Sequence, residues 1–546
     1  MLGIVLVTVL AFAGVGLRLF DLQARDRSHL ASLGVGQRVR TVSIPAERGN
    51  IFDRNGTLLA VSVPQTTIVA DPRVIKDPIA YAARLAPIVQ VDEADLVARL
   101  SNHKSAFAYI ARKVNDETAR QVRDLDLVGI SFQDESRRYY PQGTTAAPVV
   151  GFTGTDNTGL GGMEYHFDSL LTGKPGSVQV ERDPQGNDIP GGERQVHAAK
   201  RGQDVVLTID SSLQWKTEQE LLRGVTSMNA QGGIAVVVDV QTGDVLAMAT
   251  VDGATDTQPA QVAPATELNR PVSDVYEPGS TNKVITMAGA IQDGIITPDT
   301  SFSVPWEVQV GDAVYQDDEE HATEELTAAQ ILTQSSNVGT IGIARELGKD
   351  RLADYLRAFG FGQRTALNLP SEAAGVTFDA AKYNDTSMGA VPIGYEIAVT
   401  AMQMLDVYTT IANHGTARPP RLVAATIDAG GARHDEPLPE PHQVVSPETA
   451  QAVNNMLQRV VNEGTGRRAQ IRGYQVAGKT GTARKAPYTG ETNASFVGFA
   501  PAGDPRLAAI VVMDAPQGSQ YGADAAAPVF QQIMRFALTY ERVPTS

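Results

Sequence analysis

The sequence predicts an α+β chain in three successive parts: an N-terminal transmembrane helix, an elongated α+β pedestal, and a larger α+β domain of antiparallel sheet flanked by helices. Three observations carry this reading. The first segment, MLGIVLVTVLAFAGVGLRLF, is uncharged over residues 2–17. Residues 36–205 mix short amphipathic helical patterns with glycine-rich stretches of little periodicity. Residues 206–542 carry apolar strand-like runs at both ends with helical patterns between them, so their sheet is completed by the domain's own N- and C-terminal parts. At 546 residues the chain exceeds what one core supports, and its 42% hydrophobic content is ample for several.

Composition excludes some function classes. The formal net charge of −16 argues against a nucleic-acid groove, which needs clustered Lys and Arg against phosphates. There is no cysteine, so disulfides and thiolate metal sites are ruled out. The eight histidines form no HxxxH or HExxH pair, so neither metal nor cofactor is expected.

The anchor is assigned to residues 1–20. Its uncharged run of about 16 residues is slightly short of the ~20 a spanning helix needs. No small-residue cleavage site follows, which favours a retained anchor over a cleaved signal. No basic residue precedes the run, whereas Arg18, Arg25 and Arg27 follow it. Counted literally, the positive-inside rule would leave the large domain in the cytoplasm. The shortness and the charge asymmetry together lead to the expectation that a short basic tail precedes Met1 and that the large domain is extracytoplasmic.

Residues 21–35 read as a polar, helix-compatible juxtamembrane linker, and 36–205 as the pedestal. Within it, Asn55-Gly56 between NIF and TLLAVSV predicts a hairpin with a type I′ turn. Residues 71–125 predict short amphipathic helices such as DPIAYAARLAPIV and DEADLVARL. In the third part, DVVLTID predicts a strand and SSLQWKTEQELLRGV a helix capped by Asp210 or Ser211. GGIAVVVDVQTGDVLAMAT predicts a central hairpin turning at Gln241-Thr242-Gly243-Asp244. Helices dominate 280–415, the sheet returns with YQVAGKTGTAR, NASFVGFAP and RLAAIVVMDAP, and APVFQQIMRFALTY closes the domain as a helix.

Three short motifs carry chemistry. In VYEPGSTNKVITMAGAI, Pro278-Gly279 supplies a turn and an apolar helix follows, with Ser280 in its first turn and Lys283 one turn on. Ser335-Ser336-Asn337 follows Ser280 by 55 residues, and Lys479-Thr480-Gly481-Thr482 by 199. A serine hydroxyl needs an adjacent base to act as a nucleophile. A lysine serves once burial and a second cation lower its pKa, and Lys479 is the candidate second cation. Ser335 offers a proton-relaying hydroxyl, and Asn337 an amide that can hold a substrate carbonyl or Lys283. In VAGKTGTAR a strand is expected to end in Lys-Thr-Gly-Thr, with Gly481 keeping its surface open for an extended peptide and Thr480, Thr482 and Lys479 suited to a terminal carboxylate. Each motif alone has a bland reading, as a helix cap or a solvated turn. Ser101-Asn102-His103-Lys104 matches the first pattern in surroundings that suggest no site. All three in order, each in a fitting context, outweigh those readings.

The set SxxK, SxN and KTG resembles that of the serine penicillin-recognising acyltransferases, the penicillin-binding proteins and serine β-lactamases. RGNIFDRNGTLLA and GLGGMEYHFDSLLTGKPG are similar to the pedestal motifs of class B, monofunctional penicillin-binding proteins. Within class B, YEPGSTNK, IGYEIAVTAMQM, IANHGTARPPRLV and ASFVGFAP resemble the division-specific FtsI type more than the elongation type. The resemblance implies a β-lactamase-like transpeptidase domain over 206–542 and a peptidoglycan D,D-transpeptidase that cross-links stem peptides ending in D-Ala-D-Ala. Ser280 would be the nucleophile, Lys283 the base, Ser335 the proton relay and Asn337 the donor's positioner. Lys479, Thr480 and Thr482 would bind the carboxylate, and the N–H groups of Ser280 and Thr482 would form the oxyanion hole. The resemblance further implies β-lactam binding, a single-pass place in the cell membrane, and work with a SEDS-type glycosyltransferase and other division proteins. An elongation-type transpeptidase, a D,D-carboxypeptidase, a non-turnover β-lactam receptor and a division scaffold stand as alternatives. The third motif position usually holds a bulky apolar residue; here it is Asn282. No residue is assigned as a deacylating glutamate of the β-lactamase kind; Glu372 and Glu396 are weighed for that role and not adopted.

Overall fold

The computed structural model describes residues 1–21, 23, 39–181, 194–255, 257–266, 268–485 and 490–545. The 21–35 linker therefore lies almost wholly outside the described residues. The N-terminal segment forms one helix, Leu2–Phe20, with no buried residue and a mean hydropathy of 2.2 in its most apolar window. Its 19 residues span about 28 Å at 1.5 Å per residue, close to a hydrocarbon core, so the shortness inferred from the charge-free run disappears once Arg18 is carried on the last turn.

The chain divides into two compact units, residues 1–49, 64–136 and 172–203 in one and 50–63, 137–171 and 204–546 in the other. In the first, the helices Pro78–Val89, Glu93–Leu100 and Asp116–Arg123 form as their periodicity predicts, each N-capped by Asp77, Asp92 or Asn115. They cover a small core of Ile68, Leu85, Leu96 and Ile110. The strand Ala108–Val114 lies between them, where only helices were expected, and pairs antiparallel with Thr66 to Ala70. A second sheet joins Val39–Ile44, Gly176–Glu181 and Arg194–His197.

In the second unit, Ile51–Phe52 and Leu58–Ala60 form the expected hairpin, but its turn is not type I′. Only Gly56 has positive φ, at +85°, whereas type I′ needs it at both central residues. Gly56 N–H donates to Asp53 O at 3.1 Å and Asp53 N–H to Thr57 O at 2.9 Å. Asp53 Oδ1 also accepts the N–H groups of Asn55 and Thr57, so the carboxylate selects a longer turn with the left-handed position moved to the glycine.

The main sheet of this unit has six strands in the order Gln261–Val262, Val245–Asp252, Gly232–Asp239, Leu507–Asp514, Thr492–Ala500, Ala477–Arg484. Its central strands read as unbroken apolar runs because both faces are covered. Ile234, Val236 and Val238 face one core with Ile510 and Val512, while Ala235 and Val237 face the other with Ala509 and Val511. The second core is closed by the helices Ser211–Met228, capped by Asp210, and Ala527–Tyr540. The first is closed by Lys283–Gln292, Ala401–Ala412 and Pro447–Asn462. The region 280–415 is mainly helical as predicted, but residues 301–327 form two small antiparallel pairs instead, Ser301–Val304 with Glu324–Thr327 and Glu307–Val310 with Ala313–Gln316. Their short alternating pattern was too brief to register against the long helices around it.

Candidate active site

Three elements of the second unit bring the motif residues together. Gly279–Asn282 is a 3-10 turn running into the helix Lys283–Gln292, and Lys283 N–H donates to Ser280 O. The turn is held tightly: Gly279 N–H donates to Gly394 O at 3.1 Å, and the Thr281 hydroxyl to Pro278 O at 2.8 Å. Tyr408 O–H donates to Thr281 O at 3.0 Å. A Cβ on Gly394 would lie 2.2 Å from the Gly279 carbonyl oxygen, and with φ at +86° this position has two reasons to be glycine. Thr281, Asn282 and Lys283 are fully buried, whereas Ser280 is only half-buried and lines a cleft of about 1040 Å³. Asn282 packs away from that cleft, its Nδ2 donating to Val391 O at 2.8 Å. Its Oδ1 has no partner among the described residues.

Ser335 is the first of two residues, Ser335 and Ser336, that separate two helices. Ala328–Gln334 starts with a Thr327/Gln330 capping box, and Asn337–Leu347 is capped by Ser336, which accepts Gly339 N–H at 2.9 Å. Turning directly from one helix into the next puts Ser335 at φ +66°, ψ 32°, a left-handed conformation that costs a serine about 1 kcal/mol or more. The third element, Ala477–Arg484, lies at one end of the strand order and pairs with Thr492–Ala500 along its whole length, Lys479 opposite Val497 and Thr482 opposite Ala494. The strand thus runs through Lys-Thr-Gly-Thr rather than ending there.

The side chains converge on one hydroxyl. Lys283 Nζ lies 3.3 Å and Lys479 Nζ 2.8 Å from Ser335 Oγ. Lys283 Nζ also donates to Asn337 Oδ1 at 2.7 Å and to the Ser335 carbonyl. Both lysines are fully buried. Burial pulls Lys283 down to about 8, with the Asp317 and Asp318 carboxylates acting in the opposite sense. Lys479 lies well below the ordinary lysine range, first through burial and then through the charge of Lys283. Two buried ammonium groups on one hydroxyl repel, and the arrangement favours a neutral amine beside a serine.

Thr480 and Thr482 line the cleft, while Lys479 turns inward to Ser335. Thr480 Oγ1 is 2.7 Å from Thr465 Oγ1, and Thr482 Oγ1 accepts Gly522 N–H at 3.2 Å. Gly481 faces the protein, not the cleft: a Cβ there would lie 2.9 Å from Thr281 Cγ2 and 3.1 Å from Pro278 O. The glycine makes room for the turn that carries Ser280, which corrects the expectation that it opens the strand to a peptide. Glu396 lines the cleft, and its carboxylate accepts the Ser387 hydroxyl at 2.7 Å; Glu372 is buried elsewhere against Thr365. The lookalike Ser101 and Lys104 are exposed after the end of a helix.

Sequence reading missed Asp317, Thr465 and Gly394. Asp317 begins the run DDEE, which reads as solvated surface, and Thr465 sits in a GTG that reads as a loop. Only Gly394, next to a proline-containing apolar run, carried a local turn signal.

Comparison with known proteins agrees with this architecture. The family described as Penicillin binding protein transpeptidase domain matches residues 233–535, and Penicillin-binding Protein dimerisation domain matches 43–207. Penicillin-binding protein PbpB of Mycobacterium tuberculosis is 35% identical, covering 97% of this chain and 83% of the relative. Peptidoglycan D,D-transpeptidase FtsI of Escherichia coli is also 35% identical, over 96% of this chain and 89% of the relative. Among solved structures, Penicillin binding protein 3 from M. tuberculosis, complexed with aztreonam, superposes with a TM-score of 0.72 at 31% identity, covering 92% of this chain and 98% of that one. A peptidoglycan synthetase from Bifidobacterium adolescentis gives a TM-score of 0.77 at 30% identity, over 93% and 98%. With a dimerisation domain, a transpeptidase domain and relatives above 30% identity over nearly its full length, the chain belongs to the penicillin-binding proteins, in the class B transpeptidase family.

Proposed function

We propose that this chain is a membrane-anchored peptidoglycan D,D-transpeptidase working in septal wall synthesis, with Ser280 as its nucleophile. The observation that carries the reading is the pair of buried lysines sharing the Ser335 hydroxyl beside Asn337. Neutral Lys283 takes the Ser280 proton as Oγ attacks the carbonyl between the two D-alanines. The tetrahedral oxyanion is held by the N–H groups of Ser280 and Thr482, which act only on charge that develops during the reaction. Ser335 returns a proton to the departing D-alanine nitrogen, leaving an acyl-serine. An amine of a second stem peptide then attacks the ester carbon, forming the cross-link and releasing Ser280. Thr480 and Thr482, with the Lys479 amine behind them, bind the donor's terminal carboxylate, and β-lactams imitate the donor and remain as acyl-enzymes.

In this reading residues 1–20 anchor the chain in the cell membrane with the catalytic domain extracytoplasmic. Residues 21–35 link it to a pedestal over 36–205, and 206–542 form the transpeptidase domain. The anchor and pedestal contact a SEDS-type glycosyltransferase and other division proteins. The FtsI name of a relative supports the septal assignment over elongation. Labelling with a fluorescent penicillin tests the chemistry: wild type is labelled, and Ser280→Ala and Lys283→Ala are not. Retained labelling in either variant removes that residue from the mechanism, and an unlabelled wild type removes the acyl-serine reading. Depletion tests the role, with filaments expected and rounded cells pointing to elongation.

A further inference from the structure

We propose that Asp317 is a positioning residue of the acyl-transfer site, fixing Asn337 and through it the Lys283 amine; this rests on the acyl-serine reading above. Asp317 directly follows the hairpin strand Ala313–Gln316. Its Oδ1 accepts the N–H groups of Asn337 at 2.5 Å and Val338 at 3.0 Å, the first two residues of the helix Asn337–Leu347. Its Oδ2 accepts the Ser336 hydroxyl at 2.7 Å and lies 3.2 Å from His321 Nε2. The preceding carbonyl, Gln316 O, accepts Asn337 Nδ2 at 2.8 Å. Consecutive residues of one strap therefore hold both the backbone and the side chain of Asn337. With Nδ2 committed to a carbonyl, the amide has one orientation left, and Oδ1 faces Lys283 Nζ at 2.7 Å.

A capping role alone does not account for this arrangement. Ser336 already caps the helix through Gly339, so the carboxylate is a second, charged cap placed on Asn337 itself, the residue whose side chain orients the base. Its charge also reaches the amine. The charges bearing on Lys283 are the Asp317 and Asp318 carboxylates, which oppose the effect of burial, and the titratable neighbour Lys479 is itself pulled down by Lys283. Removing one lets the amine fall further, and a weaker base accepts the Ser280 proton less readily.

The test is the second-order rate of acylation by a fluorescent penicillin, measured on the full chain in detergent from about pH 5.5 to 9.5. In wild type the rate is expected to rise to a plateau with its midpoint at about 8. Asp317→Asn keeps an oxygen for the two backbone N–H groups and offers Nδ2 to Ser336, but loses the charge. Its melting temperature is expected to stay near wild type, its midpoint to move to lower pH, and its plateau to fall about threefold to tenfold. Asp317→Ala releases Asn337 and lowers the plateau by about 30-fold or more. A folded Asp317→Asn variant whose profile superimposes on wild type overturns the proposal and leaves Asp317 a helix cap. A wild type that is never acylated overturns the acyl-serine reading and this inference with it, an outcome distinct from the first.

Discussion

Gly481→Ala tests the packing behind Ser280, the proposed nucleophile. The added Cβ would lie 2.4 Å from Ser495 Oγ, 2.9 Å from Thr281 Cγ2 and 3.1 Å from Pro278 O. Against an ordinary contact of about 3.5 Å, it is about 1 Å too close to Ser495 and about 0.6 Å too close to Thr281. Ser495 Oγ is the end of a rotatable side chain and can turn away. Thr281 cannot, because it is fully buried, its hydroxyl is bonded to Pro278 O and its carbonyl to the Tyr408 hydroxyl. The strain is therefore relieved by moving the turn that carries Ser280, or the strand that carries Lys479 and Thr482, by about half an ångström. Overpacking of this kind costs about 1–3 kcal/mol, and a misplacement approaching 1 Å at the reacting groups costs up to about 100-fold in rate. The expected result is a melting temperature lower by a few degrees and penicillin acylation slower by about 10- to 100-fold. A variant that melts and acylates like wild type refutes the reasoning. One that melts normally but loses affinity for peptide donors restores the view that Gly481 faces the substrate.

Two further predictions concern groups away from the cleft. Glu218 is buried, accepting Gln214 Nε2 at 2.7 Å and Ala146 N–H at 2.9 Å, and burial pushes its carboxyl up to about 7. Because the folded pKa lies above the unfolded one, the fold holds the extra proton. This group's contribution is complete below about pH 4.5 and lost as pH rises through about 7, about 3 kcal/mol over the window. Glu218→Gln should match wild type at pH 5 and exceed it at pH 8 in thermal melts, and equal melting at both pH values contradicts this. Arg138 and Glu164 form a fully buried ion pair at 2.6 Å, with Arg138 Nη1 also 3.2 Å from Ser62 Oγ. Arg138→Ala removes the cation of this buried pair and should destabilise the unit by about 3–5 kcal/mol in calorimetry. A loss below about 1 kcal/mol counts against it.

Local patterns carried much of the fold. The Ala527–Tyr540 helix, the Asp210 cap and the Gly232–Asp239 and Val245–Asp252 hairpin depend on contacts within a few residues, and the sequence states those directly. The turn at Asn55-Gly56 departs from type I′ because the Asp53 carboxylate, three residues before the glycine, competes for the same backbone N–H groups. A glycine between threonines reads locally as the end of a strand, yet the strand Ala477–Arg484 runs through Lys-Thr-Gly-Thr. The full pairing with Thr492–Ala500 is a long-range contact that overrides it.

The same division holds for the site. Sequence by itself determined the N-terminal apolar helix, the two-sided apolar strands and the three motifs, because hydrophobic period and residue type are properties of short segments. Only the tertiary structure decided that Lys283 and Lys479 share the Ser335 hydroxyl and that Asn282 reaches Val391. It alone set Gly481 toward Thr281 and Asp317 on Asn337. A buried lysine's protonation depends on which charges and hydrogen-bond partners stand within a few ångströms of it. Those partners come from segments up to about 200 residues apart, brought together by the register of the sheet and the junction of two helices at Ser335.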